Sequence, residues 1–199
     1  MILTQNDLLA INYFYSNNYD VPFTVTFGGN KDETYENLIV TGIYQENGKD
    51  KEVELAKLTL EQLQKANVDY SNLQLQKSFI LNSQIPDLES RVREKITGGK
   101  SHALVSHWNN QKIIAEKIIA NTATISEIQA FQDEIDLRGL GETLQAFSER
   151  VLENSAIYTS KMCKITGASK KCFLAVEAAI NAKDVQDAFD LLCKTYNNI

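Results

Sequence analysis

Residues 144–179 read LQAFSERVLENSAIYTSKMCKITGASKKCFLAVEAA. Apolar or small residues recur at Leu144, Phe147, Val151, Tyr158, Met162, Ile165, Cys172, Val176 and Ala179, with Ser155 and Ser169 at the two intervening steps. Steps of three and four alternate, which puts these side chains in one narrow stripe along a helix. The spacing predicts a single long helix over 142–182, about 40 residues and about 60 Å long. Its seam would be Leu144, Phe147, Val151, Tyr158, Met162, Ile165 and Val176. Burying a large aliphatic side chain is worth roughly 1.5–3 kcal/mol, so some other helix is expected to cover that seam. Shorter helical segments at 108–120, 126–138 and 184–196 are candidates within the chain. The same segment of a second copy is the other candidate, and the shortness of the internal helices favours it, giving an expected homo-oligomer. Gly167 falls inside the helix, where glycine is disfavoured by about 1 kcal/mol relative to alanine. Either a kink or a close backbone approach is expected there.

Outward from this stretch the chain stays helical toward both sides. A last helix begins near Asp184 and carries Val185, Ala188, Phe189, Leu192 and Tyr196. Upstream, Ser126 and Gln129 read as the opening of a helix that Gly139 closes, and 121–124 reads as a turn. From Ser101 the chain is almost wholly helical. Before it, Pro86 suits a first helical turn, Leu88, Val92 and Ile96 share a face, and Gly98 and Gly99 stop the helix.

The first 60 residues have a different period. Thr4 and Asp7 form a capping box that opens a short helix to about Tyr15, and SNNYD (16–20) reads as a turn. Val21, Phe23, Val25 and Phe27 alternate with Pro22, Thr24 and Thr26, a strand pattern ended by Gly28 and Gly29. Segments 38–44 and 52–58 are also strand-like, and QENGKDK between them predicts a hairpin loop longer than two residues. Thr59 and Gln62 open a short helix; 67–72 has no clear pattern, and 74–81 fits helix or strand. The fold class is therefore α+β: a small N-terminal antiparallel sheet with short helices, then a helical bundle with one long helix. The composition shift near residue 85 suggests domains at 1–84 and 85–199.

Composition narrows the function. Of 199 residues 43% are hydrophobic and 23% charged, which allows a packed core. The net charge of −6 argues against a general nucleic-acid binder, which needs a basic face to displace counterions. No apolar run approaches the roughly 20 residues that span a bilayer, so no membrane association is expected. The N-terminal stretch lacks the pattern of a secretion signal, so the expected location is the host cytoplasm or a virion, with no signal-directed secretion. The three cysteines, Cys163, Cys172 and Cys193, are odd in number and read as small buried hydrophobes. The dense early aromatics (Tyr13, Phe14, Tyr15, Tyr19, Phe23, Phe27, Tyr35 and Tyr44) read mainly as core, with some share in a protein-binding surface.

One stretch invites an enzymatic reading. TGGKSHALVSHW at 97–108 holds Gly-Lys-Ser and both histidines. A phosphate-binding loop ending at Gly99, Lys100 and Ser101 would need glycine at 94, where Glu94 stands, and a buried strand before it. The preceding LESRVREKI is amphipathic and charged, so the stretch reads as a turn in which Ser101 caps the next helix. His102 and His107 are about 140° apart on a helix, and Cys163 and Cys172 point to opposite sides, so neither pair holds a metal. No catalytic residue, cofactor-binding residue or metal ligand is assigned, and the chain is expected not to be an enzyme.

The helical half contains W-N-N-Q-K-x-x-A-E-K-I-I-A-N-T-A-T-x-x-E from Trp108. An E-x-x-x-R-G break follows at Glu134, Arg138 and Gly139, then Ala156 and Tyr158 in the long helix. Ile165 and Gly167 come next, and Ala179, Ile180, Ala182 and Asp184 near the end. This order resembles the C-terminal helical region of uncharacterised prophage-encoded proteins found among phage tail genes, over about 108–190. The resemblance implies a non-enzymatic structural or assembly role in a phage tail, exercised through contacts with other proteins such as tail components. The alternative is a cytoplasmic adaptor or regulator that dimerises through its long helix. A third is an enzyme whose site only the fold assembles.

Overall fold

Side chains that close the ends of helices set most of the element boundaries in the computed structural model, which describes residues 1–28 and 33–199. Gly29, expected to end the first strand together with Gly28, lies outside the described residues, as does the side chain of His102. The chain divides into two compact units, Met1–Gln84 with Phe173–Asp190, and Ile85–Cys172 with Leu191–Ile199.

In the first unit, Thr4 caps helix α1 (Gln5–Asn18): the Asp7 N–H donates to Thr4 Oγ1 at 3.2 Å, and the Thr4 N–H donates to Asp7 Oδ2 at 2.8 Å. The helix runs past Tyr15 because Asn17 and Asn18 turn their amides back onto the carbonyls of Tyr13 and Phe14, at 2.8 and 2.7 Å. The sheet is antiparallel in the order β1 (Phe23–Phe27), β2 (Leu38–Glu46), β3 (Lys49–Glu54), with Val25 opposite Val40 and Ile43 opposite Glu52. The hairpin loop is shorter than expected. Asn47 and Gly48 alone connect β2 to β3, at φ of 54° and 74°, the two positive values that the tightest hairpin turn requires. Strand β3 ends at Glu54, one last bond from the Leu55 N–H to Val40 O at 2.8 Å follows, and Leu55 and Leu58 are buried in the core.

Helix α2 (Leu60–Phe79) opens on the predicted Thr59–Gln62 box but is 20 residues long. The patternless 67–72 and the undecided 74–81 belong to it or to the π-helical turn Ile80–Gln84 that follows. That turn directly precedes α3 (Ile85–Thr97), whose second residue is Pro86. Proline has no N–H to give the preceding turn and clashes with a carbonyl there, and a π turn is one way for helical chain to pass it.

Tyr15 is the centre of this unit. It is fully buried, its hydroxyl donates to Ala56 O at 2.8 Å and accepts the Leu58 N–H at 3.2 Å, and its ring stacks on Tyr19 and abuts Phe14 and Phe23. Residues 173–190 are tied to the same unit, since Lys77 Nζ donates to Glu177 O at 2.8 Å and Asn17 Nδ2 to Ile180 O at 3.0 Å.

The second unit is helical. Gly98 and Gly99 end α3 at φ of 61° and 69°, and Ser101 caps α4 (His102–Ile119) through the Leu104 N–H at 3.3 Å. Helix α5 (Ile125–Arg138) starts from Thr124 with Glu127 as its box partner, two residues before the expected opening, and left-handed Gly139 closes it. Helix α6 (Leu144–Ala178) is unbroken through Gly167, and α7 (Ala182–Asn197) follows. No helix among the described residues is long and apolar enough to cross a membrane.

Candidate functional site

The predicted seam of α6 meets the rest of its own chain. Phe147, Ile165 and Val176 are buried, while Leu144, Val151, Tyr158 and Met162 are half-buried. The cover at the Phe147 end comes from a small core of Ala115 on α4 and Phe131 and Ile135 on α5, with the rings of Phe131 and Phe147 edge to face at 5.1 Å. Neither the kink nor the close backbone approach expected at Gly167 is seen. The helix continues through it, and among the described residues a methyl group added there would meet nothing within 4 Å, because the position faces open space.

Near Ile165 a polar cluster replaces apolar cover. Ser169 Oγ donates to Glu89 Oε2 at 2.7 Å, Arg93 Nε donates to Glu89 Oε1 at 2.9 Å, and Arg93 also reaches Thr166 Oγ1 at 3.3 Å. With the Ser169 proton on Glu89, the Tyr196 hydroxyl donates to Ser169 Oγ, and its oxygen lies 3.1 Å from Ile165 O. Burial alone would push the Glu89 carboxyl up, but the donors from Ser169 and Arg93 and the charge of Arg93 outweigh it and hold the group below its usual range. These hydrogen bonds hold α3, α6 and α7 together.

Between these two regions the seam is open. A groove of about 400 Å³ runs along α6 from Phe147 to Lys161, flanked by α4 and the end of α5. Trp108 of α4 meets Tyr158 of α6 edge to face, with ring centroids 6.2 Å apart. At the Phe147 end two guanidinium groups lie by one ring, Arg138 at 5.0 Å and Arg150 at 5.3 Å. Each is held by a carboxylate. Arg150 binds Glu142 through both terminal nitrogens, and Arg138 lies 3.1 Å from Glu134, which also accepts from Gln111 at 2.7 Å. At the far end Lys161 has no ion-pair or hydrogen-bond partner among the described residues. Among the described residues, Arg138, Arg150 and Lys161 are the charged ones lining the groove, in a protein of net charge −6.

A second feature lies in the first unit. On α2, Leu63, Ala66 and Leu73 are buried, yet Leu60, Val68, Leu75 and Phe79 are 49%, 59%, 70% and 57% exposed. At about 100° per residue, these four fall within an arc of about 100° opposite the buried face. The same arc also carries the exposed Glu61, Gln64, Ser71 and Ser78, so the four large apolar residues stand on a mixed face.

Sequence reasoning had placed Phe147, Val151 and Tyr158 on a common face, and all three line the groove. It missed Arg138, Arg150 and Lys161, whose spacing resembles that of any solvated helix face, and the stripe on α2. The Gly99–Lys100–Ser101 turn follows a helix and has its serine engaged in capping. Among the described residues no three His, Cys, Asp or Glu side chains come close enough to hold a metal. The cysteines are not uniformly buried: Cys172 is, Cys193 is half-buried and Cys163 is exposed, because it lies beside the seam position Met162. Burial, with a smaller contribution from Cys193, pushes the Cys172 thiol up to about 11, so it stays protonated and a poor nucleophile at neutral pH. No family model, curated protein or solved structure matches this chain.

Proposed function

We propose that this protein is a non-enzymatic, phage- or prophage-tail-associated structural or assembly protein that works by contact with other proteins. The observation that supports a contact role is the uncovered apolar stripe of α2. Water-exposed leucine, valine and phenylalanine aligned on one helix face are the usual mark of a surface made for a partner. The tail setting rests on the sequence resemblance over 108–190. Dimerisation through the long helix has less support, since Phe147, Ile165 and Val176 are already covered by the chain itself.

The experiment is to induce the native host, band tails and particles on a density gradient, and look for the chain by mass spectrometry. It is expected to co-band with tail components, and a double variant Leu75→Glu with Phe79→Glu is expected to fold normally and leave that band. A chain found only in the free protein fraction overturns the tail reading. Undiminished co-banding of the double variant overturns the role of the stripe.

A further inference from the structure

The groove on α6 has dimensions and charges that select an occupant. From Phe147 to Lys161 is 14 residues of helix, about 21 Å at 1.5 Å per residue. Apolar side chains projecting from a single extended chain can enter such a channel. About six residues at roughly 3.3 Å each match its length.

The charges are placed at the ends. Arg138 and Arg150 stand beside Phe147, Lys161 stands at the other end, and Val151, Ile157, Tyr158 and Trp108 lie between. Among the described residues no carboxylate lines the groove; Glu134 and Glu142 hold the two arginines from outside the lining. An arginine with one carboxylate bound still has donors to spare, because the guanidinium carries five N–H groups. Lys161 has its whole charge to offer.

We propose that the groove receives an extended segment of a partner protein, about six residues long, with acidic residues at both ends and apolar residues in the middle. This rests on the reading of the protein as one that acts through protein contacts, and it names the chemistry of one such partner. The apolar centre would lie against Trp108 and Tyr158, and the carboxylates would meet Lys161 at one end and Arg138 and Arg150 at the other. Arg138 and Arg150 already share their charge with Glu134 and Glu142 and contribute spare N–H donors, so the attraction is led by Lys161 and weakens with salt.

Trp108 is the sole tryptophan of the chain, so its fluorescence reports on the groove directly. The probe is an end-blocked hexapeptide with two central leucines flanked on each side by two glutamates, and the control replaces the glutamates with lysines. The glutamate peptide is expected to change Trp108 emission saturably, and the lysine peptide is not. Lys161→Glu is expected to weaken the glutamate peptide about tenfold or more, and Ile157→Asp, at an exposed lining position, to weaken it similarly, both with unchanged circular dichroism. Equal binding of the two peptides, no emission change with either, or unchanged affinity in both variants overturns the proposal. Failure here with the wild-type chain still banding with tails removes the groove and leaves the tail reading. Glutamate-selective binding by a chain that never bands with tails supports the groove and removes the tail setting.

Discussion

Tyr15 in the first unit and Tyr158 in the second are both aromatic residues facing helix neighbours, yet they do opposite things. Tyr15 is sealed beneath the sheet, its ring among Phe14, Tyr19 and Phe23 and its hydroxyl satisfied by Ala56 and Leu58. Tyr158 is half-buried and meets Trp108 on the floor of an open groove. The difference comes from what surrounds each ring. Around Tyr15 a strand ends at Glu54 and feeds Leu55 and Leu58 inward, whereas α6 near Tyr158 is flanked by helices that leave part of its seam uncovered. Aromatic density marks a core in one case, and a lone tryptophan with cations nearby lines an open groove in the other.

The largest effect that can break this contrast is truncation of the two rings. Tyr15→Ala should cost about 3–5 kcal/mol, and Tyr158→Ala about 1–2 kcal/mol, mostly the lost ring pair. Urea unfolding of both variants is the measurement, and equal losses would mean that the groove floor is core after all. Next in size is Tyr15→Phe, which keeps the ring and strips the hydroxyl. The Leu58 N–H then loses its buried acceptor, and the expected loss is about 1–3 kcal/mol. A loss near zero would show the sheet unit to be held by ring packing alone.

A smaller effect appears in acid. Glu89 has a folded pKa held below its unfolded value of about 4.3. Its contribution is therefore fully present above that pH and is lost as pH falls through the lower folded value. Glu89→Gln should lower the melting temperature at neutral pH and flatten its fall as pH drops below the unfolded value. A melting curve that falls just as steeply in the variant would place the acid sensitivity elsewhere. The smallest effect is a gain: Gly167→Ala should stabilise the protein by about 0.5–1 kcal/mol, because the added methyl group meets nothing. A loss would reveal a kink or a partner backbone at that position.

How much of this was legible depends on the distance over which each feature is decided. The starts of α1, α2 and α4 were readable because Thr4, Thr59 and Ser101 act on N–H groups two or three residues away. Gly98, Gly99 and Gly139 were readable as stops for the same reason. The two-residue hairpin turn was also a local matter, and Asn47–Gly48 signalled it; the strand-poor composition of KDKE hid that β3 begins at once. The length of α2 was harder, since its polar middle has no clear period and is held helical by the burial of Leu63, Ala66 and Leu73.

For the candidate site, periodicity put Phe147, Val151 and Tyr158 on one face, and it went no further. Local pattern says that a stripe needs cover; it does not say which helix supplies it or where the cover stops. Trp108 and Tyr158 are 50 residues apart in sequence, and Gln111 of α4 and Glu134 of α5 are 23 apart. Those meetings follow from how whole helices pack, where every side chain competes for the same volume. Helix ends, strands and the α+β class were thus written in short stretches of sequence, because hydrogen bonds and backbone angles act over a few residues. The covered seam, the open groove and the stripe left on α2 came from packing, because burial is settled among residues that the chain brings together from far apart.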